Sequence, residues 1–380
     1  MKPPSILHIS NDFTYQHLYN QLVLHNSNHG MVQHIFSPIR LNANGNWQYP
    51  KIRGAKFYIE RIIAPLHRIF FRRKISVIKS SIESKIDLER IDITHAHTLY
   101  SDGAVALRLK RSHGIPYIVA FRNTDLNAFM KYRPDLKLIR NDVIKEAEKI
   151  IFLSPAYRDK LCRQVSPFVR EIIDKKGVVI PNGVREGWLT NSPKDMTISF
   201  NKKIRILYVG DMSKNKNLLN LLASISILSS SRSVHLTVVG GSEIDADNNG
   251  LLNALGRDMT TFLGRIEEES ELRDVYREHD IFVMPSYTET FGIVYIEALS
   301  QGLPIVHSNG HGVHGLFKEN TVSENVDPYD PNDIACAIST LIERLCLDKS
   351  IPLLCISEAK RFNWKDISKK YVEIYSSILR

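Results

Sequence analysis

Two glutamates eight residues apart, Glu289 and Glu297, lie in the run SYTETFGIVYIEALSQGLPIV (286–306), and the residue types around them suit a polar, anionic ligand. DIFVMPS reads as a strand ending at Ser286. A loop follows with Glu289, Thr290, Phe291 and Gly292, and then a helix over 293–300 closed by Gly302 and Pro304. The first N–H groups of that helix, at Gly292, Ile293 and Val294, have no acceptor within it and aim at whatever lies before it, which suits a diphosphate. Glycine at 292 lets the backbone approach such a group closely. Carboxylates accept hydrogen bonds from sugar hydroxyls. Eight residues do not set the two acids face to face on a helix, so they can serve two parts of one elongated ligand. Each glutamate taken singly reads more readily as a solvated surface residue than as a ligand contact, and only the whole phrase reverses that.

A loop of this kind needs rigid support, and the rest of the chain has the pattern for it. Runs rich in Ile, Val, Leu and aromatics at 6–9, 32–36, 91–94, 117–121, 150–153 and 178–180 alternate with stretches of helical periodicity. The pattern starts afresh at 204–209, 236–239, 262–263, 281–284 and 304–306. Such alternation predicts parallel sheets covered on both faces, an α/β chain with two doubly wound Rossmann-like domains over 1–185 and 200–363. Ligands in such sheets bind beyond the carboxyl ends of the strands, where the 286–306 loop falls. The polar, turn-rich stretch 184–203 reads as the join. Trp364, Ile367, Tyr371, Ile374, Tyr375 and Ile378 give the tail amphipathic helical spacing.

Taken in order, these phrases resemble the family 4 glycosyltransferases. The Glu, seven residues, Glu spacing with Phe-Gly after the first acid is similar to that family's donor motif. ILYVGDMSKNKNLLNLL, LTVVGG, FLGRI and ELRDVYREHDIFVMPS are similar to its donor domain, and IDITHAHTLYSD, GIPYIVAFRNTD, IIFLSPAYRDKL and VVIPNGV to its N-terminal half. The resemblance covers nearly the full chain. It implies the GT-B architecture, two Rossmann-like domains facing a central cleft, with the tail 364–380 packed back on the first. It also implies a nucleotide-diphosphate sugar as donor, no cofactor or metal, and retention of anomeric configuration. By position, Glu289 contacts donor-sugar hydroxyls, Glu297 the ribose and Lys216 the diphosphate, with Gly210, Thr290, Phe291, Gly292 and Ile293 completing the donor site. An ammonium beside the leaving phosphates stabilises charge that builds as the glycosidic bond breaks.

Three departures from the family pattern fall on the site. Asp211 stands where the family commonly has Arg, which leaves Lys216 and Lys214 as the cations, and an ammonium matches a diphosphate less well than a guanidinium fork. Arg122 and Asn123 replace the His-Gly before Thr124 and Asp125, so Arg122 becomes the candidate for steadying the acceptor or the transition-state charge. The Gly-Gly phrase after the first strand is absent, and Asn11, Asp12 and Tyr15 stand there instead. The acceptor side then falls to His97, Asp125, Asn11 and Tyr15. His97 reads equally as a structural histidine bonded to neighbouring backbone, and His95 and His97, alternating in His-Ala-His, are expected to face opposite sides of a strand and so not to form a metal-ligand pair.

Bulk properties narrow the partners. The net charge of +9 is uneven, with 30 Lys+Arg against 16 Asp+Glu in the first 190 residues and 20 against 25 in the rest. No nucleic-acid motif accompanies the basic residues. Residues 61–79 (RIIAPLHRIFFRRKISVIK) mix cations with apolar residues, as does a helix lying on an anionic bilayer or one packing on a core with a basic outer face. No run of 18 apolar residues and no leader pattern appear, so the expected address is cytoplasmic, with peripheral contact on the inner face of the cell membrane through 61–79. Cys162, Cys336, Cys346 and Cys355 lack metal-type spacing and read as reduced. Asp245 and Asp247 imitate the start of a calcium loop, but Gly256 takes the place of its bidentate Glu, so the stretch reads as a surface turn. The expected activity is hexosyl transfer to a saccharide or lipid-linked acceptor in bacterial surface-polysaccharide (lipopolysaccharide or capsule) or glycolipid assembly. An epimerase on the same scaffold and an inactive nucleotide-sugar-binding subunit are the alternatives.

Overall fold

Seven parallel strands, in the order β3-β2-β1-β4-β5-β6-β7, form the first sheet: β1 (Ser5–Ile9), β2 (Val32–Arg40), β3 (Ala55–Ile63), β4 (Ile93–Ala96), β5 (Tyr117–Ala120), β6 (Lys149–Phe152) and β7 (Gly177–Val179). The second sheet has six, in the order β10-β9-β8-β11-β12-β13: β8 (Ile204–Val209), β9 (Val234–Val239), β10 (Thr260–Gly264), β11 (Ile281–Met284), β12 (Ile305–Ser308) and β13 (Ser323–Val326), again all parallel. The structure is a computed structural model and describes residues 3–11, 13, 17–43, 51–193, 203–248, 251, 259–318 and 320–380. Two compact units result. One comprises 1–153, 157–182 and 364–380, and the other 154–156 and 183–363.

Central strands such as β11, with all four residues buried, are apolar on both faces because helices cover both. Alternation along β1 divides the first unit's core. Leu7 and Ile9 join Phe71, Ile75, Ile78 and Ile82 of the helix Phe71–Lys85. Ile6 joins Ile93, Ile118 and Ile151 on the other face, where Trp364, Ile367, Tyr371 and Tyr375 of the tail helix (Trp364–Ile378) seal the sheet.

The sequence pattern missed β3 and β13. β3 is an edge strand that is nowhere fully buried, so Lys56, Glu60 and Arg61 interrupt any apolar run. Its presence also corrects the reading of 61–79 as one amphipathic segment. Arg61 to Ile63 end the strand, Pro65–Arg68 is a 3₁₀ turn, and the helix from Phe71 packs its apolar face into the core. The expected surface turn around Asp245 is a short helix, Glu243–Asn248, while Gly256 lies outside the described residues. The boundary falls earlier than the join read from composition, at 182/183. Trp188, on the short helix Glu186–Thr190, is already buried in the second unit with its ring edge-on to Tyr276 at 5.3 Å. Residues 194–202 of the join lie outside the described residues.

Candidate functional site

In the second unit the loops after β8, β11 and β12 meet at Glu289. Its carboxylate takes an ion pair from Lys216 Nζ at 2.7 Å, and both side chains are mostly buried. The other carboxylate oxygen accepts from the Thr290 N–H at 2.9 Å. Glu289 O accepts from Gly312 N at 2.9 Å, and the Glu289 N–H faces His311 Nδ1. Two glycines flank the side chain. A Cβ on Gly292 (φ +76°) or Gly312 (φ +55°) would stand 3.1 or 3.2 Å from Glu289 Cγ. Gly292 caps the helix Ile293–Ser300, and among the described residues none accepts from the N–H of Gly292, Ile293 or Val294. An ammonium has three donors, so Lys216 can keep Glu289 and still bond an anion set before this helix.

The short turn Lys214–Lys216 is held by two asparagines. Asn215 O accepts from Tyr287 N at 2.8 Å, and Asn215 Nδ2 donates to Thr288 O at 2.9 Å. Asn217, buried and left-handed at φ 59°, donates through Nδ2 to Pro285 O at 2.8 Å and Pro328 O at 2.6 Å. Asparagine tolerates that backbone region and stitches together the loops after β8, β11 and β13. Gly210 directly follows β8, at a point where a Cβ on Gly240 would come within 2.2 Å of Gly210 O, so the two backbones pass in close contact. Asp211 turns its carboxylate back to Ser213 N at 2.9 Å. Partial burial opposes its ionisation, but the Ser213 hydroxyl and N–H and the charge of Lys216 outweigh that and keep its carboxyl below the ordinary range.

Glu297 stands apart from this cluster, beside Tyr276, Arg185 and Glu269. Burial, reinforced by Glu269 and opposed by Arg185 and the Tyr276 hydroxyl, pushes its carboxyl up to about 7. A raised folded-state value means that Glu297 favours folding most below its ordinary 4.5, and that this contribution fades as pH rises through about 7. Glu297→Gln is therefore expected to lose less thermal stability than wild type between pH 4.5 and 7, read as the difference between their melting curves across that range.

In the first unit, Arg122 follows β5 with its guanidinium 5.9 Å from the Tyr19 ring, its Nε lacking any partner, and no ion pair among the described residues. Asn11 donates to the Asp102 carboxylate. Two expectations need correction. Asp125 is fully buried, and its carboxylate accepts from the backbone N–H of Leu99 (2.9 Å), Tyr100 (3.1 Å) and Arg122 (2.9 Å), so it organises two loops instead of facing an acceptor. Burial outweighs those bonds and the charge of Arg122, moving its carboxyl up to about 6. His97 is fully buried as well, and its ring stacks on His95 at 4.2 Å because side chains two apart on a strand leave the same face. Tyr15 and Asp12 lie outside the described residues.

Two family descriptions match this chain: Glycosyltransferase Family 4 over 32–187 and Glycosyl transferases group 1 over 194–350. The chain is a family 4 glycosyltransferase. An uncharacterized glycosyltransferase of Methanocaldococcus jannaschii is 24% identical, with 86% of each chain covered. A D-inositol 3-phosphate glycosyltransferase of Thermobispora bispora is also 24% identical, over 78% of this chain and 73% of its own length. Among solved structures, the sucrose-phosphate synthase of Thermosynechococcus elongatus is similar with a TM-score of 0.72, 20% identity and 99% of each chain covered. Anabaena HepE, solved in complex with UDP, is similar with a TM-score of 0.69, 15% identity and 98% and 100% coverage. Likeness at this identity shows the fold, which is GT-B.

Within this glycosyltransferase, sequence reasoning missed Asn215, Asn217, His311 and Gly312. Two signals pointed their way. Asn-Lys-Asn after a strand is turn chemistry, and Gly310-His311-Gly312 marks a close backbone passage beyond β12.

Proposed function

We propose that this glycosyltransferase moves a hexosyl group, with retention, from a nucleotide-diphosphate sugar to a saccharide acceptor in surface-polysaccharide or glycolipid assembly. One observation carries the reading: Lys216, Glu289 and the open N–H groups from Gly292 to Val294 are gathered at the strand ends of the second unit. Glu289 accepts from donor-sugar hydroxyls. Lys216 and the helix start take the diphosphate charge as the anomeric C–O bond breaks. The acceptor oxygen forms the new bond on the same face, and its proton leaves on the departing diphosphate. No group in this scheme requires a metal, and Glu297, one turn along the helix, serves the ribose.

A more specific acceptor is favoured by Arg122, whose partly buried guanidinium leaves Nε without a hydrogen-bond partner among the described residues and meets the Asp125 charge without forming a salt bridge with it. It suits an acceptor bearing a phosphate, free or lipid-linked. The relatives named for inositol 3-phosphate and sucrose phosphate support that class. Peripheral membrane contact is supported by Leu66, Ile69 and Phe70, exposed to 62%, 69% and 55% beside Arg68, Arg72 and Arg73. No described helix is long and apolar enough to cross a membrane. Leu66→Ser with Phe70→Ser is expected to release the protein from vesicles containing anionic lipid, read by co-sedimentation, with its fold unchanged.

The reading is tested by measuring UDP and GDP release from a panel of nucleotide sugars, with and without phosphorylated saccharide acceptors. Release that depends on acceptor supports transfer. Conversion of the donor without acceptor would indicate an epimerase, and tight nucleotide binding with no turnover an inactive subunit.

A further inference from the structure

Three buried imidazoles meet on the face of the first sheet that the tail helix covers, and the proposed transfer uses none of them. Strand register brings them there. His8 stands opposite His95 in the parallel ladder of β1 and β4, and His97 follows two residues on, so all three leave one face. One nitrogen of each ring lies within 4.8 Å of the other two, and His8 Nδ1 and His97 Nε2 are 3.0 Å apart.

Neighbouring bonds decide which nitrogens are bare. Gln33 Nε2 donates to Val23 O at 2.8 Å and Ser27 Oγ at 2.7 Å, which turns Gln33 Oε1 to His8 Nε2 at 3.1 Å. His8 therefore carries its proton on Nε2 and offers the lone pair of Nδ1 to the cluster. His95 Nδ1 is held by the Tyr375 hydroxyl at 2.8 Å, which leaves His95 Nε2 buried without a partner among the described residues. His97 Nε2 is the nitrogen turned to His8, and its other nitrogen, Nδ1, is buried without a partner among the described residues. Histidines that ligate metals commonly have their second nitrogen fixed by an oxygen, as two of these three do. All three rings are fully buried, which disfavours the charged form and leaves the neutral imidazole that ligates. Unsatisfied buried nitrogens at such a meeting point call for an ion or a water.

We propose that His8, His95 and His97 bind one divalent first-row transition ion of the zinc or cobalt class, a site in the first unit separate from donor chemistry. Imidazole nitrogens suit these ions over magnesium or calcium. Bonds of about 2.0–2.1 Å to such an ion require the His8–His97 pair to open by a few tenths of an ångström, roughly, which ring rotation supplies. The ion would tie β1 to β4 and, through Tyr375, reinforce the tail helix against the sheet.

The test is titration of the full-length, chelator-stripped protein with Co²⁺, followed by visible d–d absorption and elemental analysis. One equivalent is expected, with four- or five-coordinate absorption that Zn²⁺ displaces. His8→Asn should abolish the band. Gln33→Met, which removes the oxygen that orients His8 together with the amide's bonds to Val23 O and Ser27 Oγ, should weaken binding about 10- to 100-fold. Absence of a band and of bound metal at stoichiometric Co²⁺ in the wild type would overturn the proposal, whatever the variants do. An unchanged band and affinity in folded His8→Asn would overturn it equally, by placing the ion elsewhere.

Discussion

Lys216→Ala and Glu289→Ala are each expected to lower turnover by about 10²–10³-fold, the scale seen when one preorganised charge-stabilising group is removed. The pair is coupled at 2.7 Å, so the two losses will not add. Removing the lysine leaves a mostly buried carboxylate without its counter-charge, and removing the glutamate frees the ammonium to swing away from the helix start. The double variant should fall little below the worse single one. Lys216→Arg should retain part of the activity, since the charge remains while its geometry changes. The measurement is nucleotide release under saturating donor, with circular dichroism to show that each variant is folded. Turnover near wild type in either single variant would remove these residues from the mechanism.

Gly292→Ala is the second large effect. At φ +76° an L-residue costs roughly 1–2 kcal/mol. The added Cβ would also lie 2.4 and 2.6 Å from the Tyr295 ring, which cannot retreat easily because its hydroxyl is bonded to Met284 O at 2.6 Å in the core. Overpacking of this sort costs about 1–3 kcal/mol. A destabilisation of about 2–4 kcal/mol is therefore expected, read as a lower denaturation midpoint. The folded fraction should still show weakened donor binding by calorimetry, because relief of the clash tilts the first N–H groups of the helix and displaces Glu289. Normal stability together with normal donor affinity would show that this turn is not the tight passage described here.

The elements most legible in the sequence were those whose signals are local. β11 and the helix Ile293–Ser300 could be read because an apolar run, a Gly and a helical stripe follow one another within twenty residues. The same locality explains the misses. β3 pairs on one side only, so charges interrupt its pattern, and β13 is four residues, Ser-Glu-Asn-Val, with little apolar character. Trp188 looked like part of a linker because its partner, Tyr276, lies far along the chain.

By itself, the sequence determined the α/β class, the two parallel units and the placing of Glu289 and Gly292 at a strand end, because periodicity and turn chemistry act between near neighbours. The tertiary structure decided which side chains meet. It set Lys216 on Glu289 across 73 residues, and Tyr375 on His95 across 280. It also turned Asp125 inward and gathered His8, His95 and His97 on one face. Those outcomes depend on strand order and register, which arise when distant segments pack and bury their surfaces together, and no local spacing encodes them.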